Sequence, residues 1–267
     1  MSNVLQLDNW WLLAAVAVIF VIVHASKLFR LYLIMIDEKI PFVRFMFLYC
    51  LTTLVNLIVP YKLGEFFRIA VFCKATKSIR IGFLSVLLDR FFDTVALVLI
   101  LLPIELLKRR EVSDSTLLLT AFVVVSVFAY VAFSSFYTYL NRYLIMNRQS
   151  KGAMGSLKIL EWMRYGYEYV KRLIHGRYAL LVIFSFVAWL LECGILYLLA
   201  KAYLLEERAD ISGYIAGIVS GTHTVLMDRY VTFGIWFMAI CTILTFVLAA
   251  AKRSLFEKKV KQGNIGS

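Results

Sequence analysis

Asn56-Leu-Ile-Val-Pro60-Tyr-Lys62-Leu-Gly64-Glu65-Phe-Phe-Arg68 interrupts two apolar runs, Phe42 to Val59 and Leu63 to Cys73, and its reading decides the fold. Proline lacks an amide hydrogen and clashes with the preceding turn, so Pro60 ends the first run as a helix. Gly64, without a Cβ, permits close packing or an unusual turn. On a helix restarting near Tyr61, Lys62, Glu65 and Arg68 fall at three-residue steps on one side. Basic residues flank both ends of the pair, with Arg30, Lys39 and Arg44 before it and Lys74, Lys77 and Arg80 after it. Lysine and arginine concentrate on cytoplasmic loops. Both ends therefore read as cytoplasmic, and the segment reads as a helical hairpin with its tip near Pro60.

Outward from this hairpin the chain is built of long apolar segments. Of 267 residues, 62% are hydrophobic and only 17% charged, against about 25% charged in soluble domains. Hydrocarbon about 30 Å thick needs roughly 20 apolar residues of helix. Trp10 to Phe29, Ile81 to Leu107, Thr116 to Leu140, Tyr178 to Leu205 and Tyr230 to Ala251 read as long helices. Ile211 to Met227 is weaker and richer in Gly, Ser and Thr. A transmembrane β-barrel would show short alternating segments, which are absent. The expected fold is an all-α polytopic integral membrane protein of about 6–7 membrane helices, with one or two re-entrant hairpins. Residues 1–267 read as a single transmembrane domain. The four cysteines (Cys50, Cys73, Cys193, Cys241) have no zinc or disulfide spacing.

The formal net charge is +12. The segment 141–177 carries eight basic residues against Glu161 and Glu168, a net of +6, and the tail from Lys252 to Lys261 carries a net of +4. Most of the excess is thus topological, and both regions are expected on the cytoplasmic side of an inner or plasma membrane, as is the C-terminus. In 141–177, Leu160, Met163, Tyr167, Val170 and Ile174 share one helical face, the pattern of an amphipathic helix on the membrane surface. The acidic loop at Glu206, Glu207 and Asp210 is expected outside, with Lys108, Arg109 and Arg110. Ile211 to Met227 then has both ends outside and reads as a second re-entrant piece. Because the basic residues sit beside membrane spans and not along one soluble face, a nucleic-acid partner is not expected.

The remaining charges are few and nearly compensated. Asp89, Arg90 and Asp93 lie inside the helix from Ile81; Arg90 can pair with Asp93 at i+3, leaving Asp89 and Asp93 to meet Lys62 or Arg68. Charges in a bilayer are costly unless paired, and they usually face a bundle interior or wet cavity. One reading is a salt-bridge network that only locks two helices. The other is a polar site for an anionic headgroup: Lys62, Arg68 and Arg90 hold phosphate, while Glu65, Asp89 and Asp93 balance and orient them. Arginine suits phosphate because its planar fork donates two hydrogen bonds at once. Asn56, Pro60 and Gly64 shape the tip.

These residues also carry a family resemblance. Asn56, Pro60, Gly64-Glu65, Arg68 and, about twenty residues on, Asp89-Arg90-x-x-Asp93 resemble the motif of the lysylphosphatidylglycerol synthase transmembrane-domain family. Ala188-Trp189-Leu-Leu-Glu192, followed by Tyr197, is similar to that family's central helix. The resemblance implies movement of phospholipids or polyprenyl-linked lipids between leaflets, without nucleotide hydrolysis in this domain. It also implies a second Pro/Gly/Glu-containing re-entrant element, and the corresponding stretch, Gly213 to Arg229, has neither a proline nor a Gly-Glu pair. The soluble aminoacyl-transferring domain is absent from the sequence, so lipid aminoacylation is not expected.

Ser85-Val-Leu-Leu-Asp89-Arg90-Phe91 echoes Thr224-Val-Leu-Met-Asp228-Arg229-Tyr230, with Gly82 and Gly221 in register, a candidate inverted repeat. Glu192, deep in its helix, is a candidate coupling group. His24, His175 and His223 share no metal spacing, and no nucleotide-binding loop, serine elbow or catalytic carboxylate pair is present. No cofactor or metal is expected, and the chain reads as a non-enzyme. A membrane transferase would have only Asp89 and Asp93 as bases. The leading expectation is binding and translocation of an anionic phospholipid or polyprenyl-phosphate-linked lipid. The alternative is a non-catalytic membrane subunit that positions a glycan- or lipid-modifying enzyme. Expected partners are the lipid, the membrane, and either such an enzyme or further copies of the chain.

Overall fold

The computed structural model describes residues 10–59, 63–108, 112–146, 151–202 and 225–263, with 108, 151–153, 174–175 and 253–263 described by backbone alone. Among these residues the structure is helical and holds no strand: α1 (Trp10–Ile34), a 3-10 turn (Ile36–Glu38), α2 (Phe42–Ile58), α3 (Leu63–Thr76), α4 (Ile79–Lys108), α5 (Asp114–Met146), α6 (Lys151–Ala202) and α7 (Val225–Gly263). Four helical segments are long and apolar enough to cross a membrane: Trp10–Ile34, Asp114–Met146, Gly176–Ala202 and Val225–Lys252. α4 is 30 residues long but carries Asp89, Arg90 and Asp93 in its middle. The all-helical expectation holds for the described residues; Pro60, Lys62, Gly213 to Thr224 and the acidic loop lie outside them.

Two reversals depend on local chemistry. Lys39 adopts a left-handed φ of 52° after the 3-10 turn, and Pro41 then precedes the first residue of α2. Lys77 does the same between α3 and α4, with φ of 56°, while the Ser78 amide donates to Thr76 Oγ1 at 3.3 Å. At the far end of α4, Glu105 accepts hydrogen bonds from the Ser113 amide (3.0 Å) and hydroxyl (2.8 Å), tying α4 to the start of α5.

α2 and α3 form an antiparallel hairpin, as the sequence predicts. The reason for Gly64 is close approach: a Cβ there would stand 2.5 Å from the Asn56 Cα. Gly82 plays the same part between α4 and α3, against the Cys73 backbone. α7 runs antiparallel to α2, so that Leu57 meets Gly234 near the hairpin turn and Phe47 meets Phe246 near its base. Phe20, in the middle of α1, also contacts Gly234. Leu57, near the end of α2, thus comes level with the middle of α1.

α1 lies antiparallel to the second half of α6: Lys27 pairs with Glu192, Arg30 with Ser185 and Asp37 with Arg177. Arg177 donates two hydrogen bonds to Asp37, at 2.9 and 3.1 Å, which hold its carboxyl below the usual carboxylate range. The start of α2, the ends of α1, α3 and α7 and the start of α4 all fall at one end of the bundle, where the basic segments cluster. The end of α4 falls at the other, as expected for Lys108.

α6 differs from the expected surface helix followed by a separate span. It is one helix of 52 residues, with no proline to break it. Its amphipathic first half packs on protein. Leu160, Tyr169 and Leu173 are buried, Trp162 stacks near Phe83, and Tyr167 packs against Tyr130 and Phe133 of α5. The covered face is turned from the expected one: Met163 is exposed, while Leu160, Tyr169 and Leu173 are buried and α4 and α5 lie against this half of the helix.

Candidate functional site

Asp89 and Asp93 stand one helical turn apart on α4, so both carboxylates emerge on the same face. That face meets α1, and both are grasped by Arg30, whose side chain is fully buried. Arg30 Nε donates to Asp89 Oδ1 at 2.8 Å, with Nη2 2.6 Å from the same oxygen in an ion contact. Its Nη1 reaches Asp93 Oδ1 at 2.5 Å and donates to Ser185 Oγ on α6 at 2.8 Å. One planar guanidinium thus joins three helices. Trp189 Nε1 donates to Asp93 at 3.1 Å and completes its shell.

Arg90 points the other way, toward the hairpin. It contacts Asp89 at 2.8 Å, Asp93 at 3.3 Å (the expected i+3 pair) and Glu65 of α3 at 3.5 Å. Its side chain is 39% exposed, in contrast to the buried Arg30. Arg68 approaches Asp89 at 3.5 Å, lies over the Tyr49 ring and reaches Thr53 at 3.4 Å. One layer further along α1, Lys27 pairs with Glu192 at 2.5 Å, and the Tyr230 hydroxyl of α7 donates to the same carboxylate.

Four cations (Lys27, Arg30, Arg68, Arg90) therefore meet four carboxylates (Glu65, Asp89, Asp93, Glu192) among the described residues. Balance is what the environment demands, because an unpaired charge away from water costs several kcal/mol. Hydrogen bonding is less complete. Buried Asn56 Oδ1, Glu65 Oε2, Arg68 Nε and Arg90 Nε have no partner among the described residues. Glu65, Arg68 and Arg90 lie where α3 meets α4, while Asn56 lies against Gly64 within the hairpin.

Of the residues singled out from sequence, Asn56, Gly64, Glu65, Arg68, Asp89, Arg90 and Asp93 come together here. Pro60 and Lys62 lie outside the described residues. Asp89 meets the hairpin's Arg68 as expected, at 3.5 Å, but among the described residues the closest partner of both Asp89 and Asp93 is Arg30, read from sequence as a loop charge. The signal for Arg30 was present, since Leu31, Leu33, Ile34, Met35 and Ile36 continue the apolar run beyond it. Lys27, inside the first span, was not singled out. Glu192 is paired with Lys27 and Tyr230, not isolated. Asp228 and Arg229 lie on the exposed side of α7, and Tyr230 is the residue of that triplet that enters the network. α7 does run opposite to α4, as an inverted repeat requires. His24 Nδ1 lies 3.1 Å from the Tyr49 hydroxyl; the His175 side chain and His223 lie outside the description. No metal-holding cluster of His, Cys, Asp or Glu exists among the described residues.

A bundle of long apolar helices around compensated buried charges defines a multi-pass membrane protein. A family model described as lysylphosphatidylglycerol synthase TM region matches residues 2–219, and the chain belongs to that family. Membership points to a membrane-lipid-related function. Searches of curated proteins and of solved structures gave no match.

Proposed function

We propose that this protein binds the phosphate-bearing headgroup of an anionic phospholipid or polyprenyl-phosphate-linked lipid at the hairpin–α4 seam and carries it between leaflets, without catalysing a reaction. The observation that carries this reading is Arg90, a partly exposed guanidinium with an unpartnered N–H inside an otherwise buried cluster. Unsatisfied buried groups cost about 1–3 kcal/mol each, so the unpartnered N–H groups of Arg68 and Arg90, on a guanidinium that is partly exposed at Arg90, favour an incoming acceptor. Arg90 and Arg68 supply donors to phosphate oxygens, with Lys62 adding charge at the tip. Glu65, Asp89 and Asp93 keep the arginines ordered, and Asn56, Pro60 and Gly64 shape the turn.

A re-entrant hairpin fits this role. α2 and α3 have 17 and 14 residues, about 25 and 21 Å at ~1.5 Å per residue, short of the roughly 30 Å of hydrocarbon. The end of α2, level with the middle of α1, agrees with a tip inside the bilayer. The basic end of the bundle is the cytoplasmic one in this reading. Rocking of the hairpin against α4 exposes the seam to one leaflet and then the other. The test is a leaflet-resolved assay of headgroup-labelled lipid in proteoliposomes. Arg68→Ala with Arg90→Ala is expected to lower the protein-dependent rate at least tenfold, about 1.4 kcal/mol in barrier; an unchanged rate rejects the reading.

A second reading, a subunit that positions a membrane enzyme, is favoured by one feature. α6 extends 25 residues before Gly176, alongside the end of α5, where Phe136, Tyr139, Tyr143 and Met146 are exposed at helical spacing. Purification in stoichiometric complex with one enzyme, together with no lipid movement by the isolated chain, selects that reading.

A further inference from the structure

We propose that Glu65 is a built-in stand-in for the headgroup anion: in the resting protein it occupies Arg90, and an arriving phosphate displaces it and thereby frees the hairpin from α4. This rests on the headgroup-binding reading above. The starting point is charge balance. Among the described residues four cations face four carboxylates, so a phosphate arriving there competes with a carboxylate already in place. Binding at Arg90 then favours the carboxylate that gives up its cation most easily.

The geometry identifies which one. Asp89 is held by Arg30, Arg68 and Arg90 and is 2% exposed. Asp93 is held by Arg30, Arg90 and Trp189, and Glu192 by Lys27 and Tyr230. Glu65 has one ion contact, at 3.5 Å, an unpartnered Oε2, and the most exposed side chain of the four carboxylates. Its cation, Arg90, is likewise the most exposed of the four cations. Exchange of one anion for another on Arg90 leaves the contacts to Asp89 and Asp93 in place. Glu65 remains in the first turn of α3, where the open amides of a helix start favour a negative charge.

The exchange has a mechanical result. Glu65 belongs to the hairpin and Arg90 to α4, and the other ion contact between them is Arg68 with Asp89, also at 3.5 Å. Losing the first leaves Arg68 with Asp89 as the ion contact at this level, with the packing of Gly82 on Cys73 as the pivot. Headgroup binding and hairpin release become one event, so that an empty site stays closed and an occupied one is free to move.

The experiment uses the full chain in nanodiscs, with dihexanoyl phosphatidylglycerol as the probe. Binding is measured by calorimetry, and the hairpin–α4 separation by spin labels at the exposed Phe66 and Leu87 positions. Glu65→Gln, which keeps shape and removes charge, is expected to bind the probe about five-fold more tightly, the equivalent of one modest ion pair. It is also expected to show without lipid the wider label separation that the wild type shows only with it. Glu65→Ala should agree if Glu65→Gln folds poorly, and Glu65→Asp should remain near wild type. Equal or weaker binding by the neutral variants, or an unchanged separation, overturns the inference while headgroup binding by the wild type stands. No binding by the wild type overturns both.

Discussion

Arg30 shows what one side chain does when it is buried with two carboxylates. Its fork reaches Asp89, Asp93 and Ser185 at once, so its removal strands two negative charges among apolar helices. Arg30→Ala is expected to destabilise the protein by about 3–5 kcal/mol, the usual effect of removing one partner from a buried ion pair. Arg30→Lys should recover only part of this, since an ammonium cannot span both carboxylates in one plane. Thermal unfolding in detergent decides the matter; a lysine variant as stable as wild type contradicts the role given to the fork. Arg90, one residue beyond Asp89, carries the same charge but is partly exposed, and the proposed headgroup site is built on it. The expected loss of lipid movement on replacing Arg68 and Arg90 separates these tasks, because Arg30 still holds the carboxylates.

At the scale of elements, three glycines illustrate how context sets the sign of one substitution. Gly64 and Gly82 are sites of close backbone approach, where an added methyl meets Asn56 or Cys73. Gly176, in contrast, sits within α6 with open space around it. Alanine there is expected to raise stability by up to about 1 kcal/mol through helix propensity. Gly64→Ala and Gly82→Ala should instead lower the melting temperature and part the hairpin from its neighbours. Melting curves for the three variants, run side by side, test the assignment. The hairpin itself was legible from Pro60 and its flanking charges. The continuity of α6 was not. The spacing of Leu160, Tyr167 and Val170 states that one face is apolar, but lipid and a protein neighbour satisfy such a face equally well.

For the whole molecule, helix directions bring the basic segments to one end. Single cysteines at Lys39, Lys77 and Lys252, in a chain with Cys50, Cys73, Cys193 and Cys241 replaced by serine, should react with an impermeant maleimide from the same side. A cysteine at the exposed Leu107 should react from the opposite side. Labelling of Leu107 together with Lys77 from one side contradicts the bundle. This arrangement links the scales: the basic segments lie at one end, and the compensated cluster lies within the bundle on α1, α3, α4 and α6.

By itself the sequence determined the helical membrane class, the pairing of α2 with α3 and seven residues that the fold brings together, because apolar length, a helix-breaking proline and i+3 spacing are local properties of a chain. Only the tertiary structure decided that Arg30 joins Arg68 at Asp89 and also holds Asp93, and that Lys27 and Tyr230 complete Glu192. The pairs made by Arg30, Lys27 and Tyr230 join residues 38 to 165 positions apart. Which cation meets which carboxylate depends on how α1, α4, α6 and α7 face one another, and that is fixed by packing over the whole bundle.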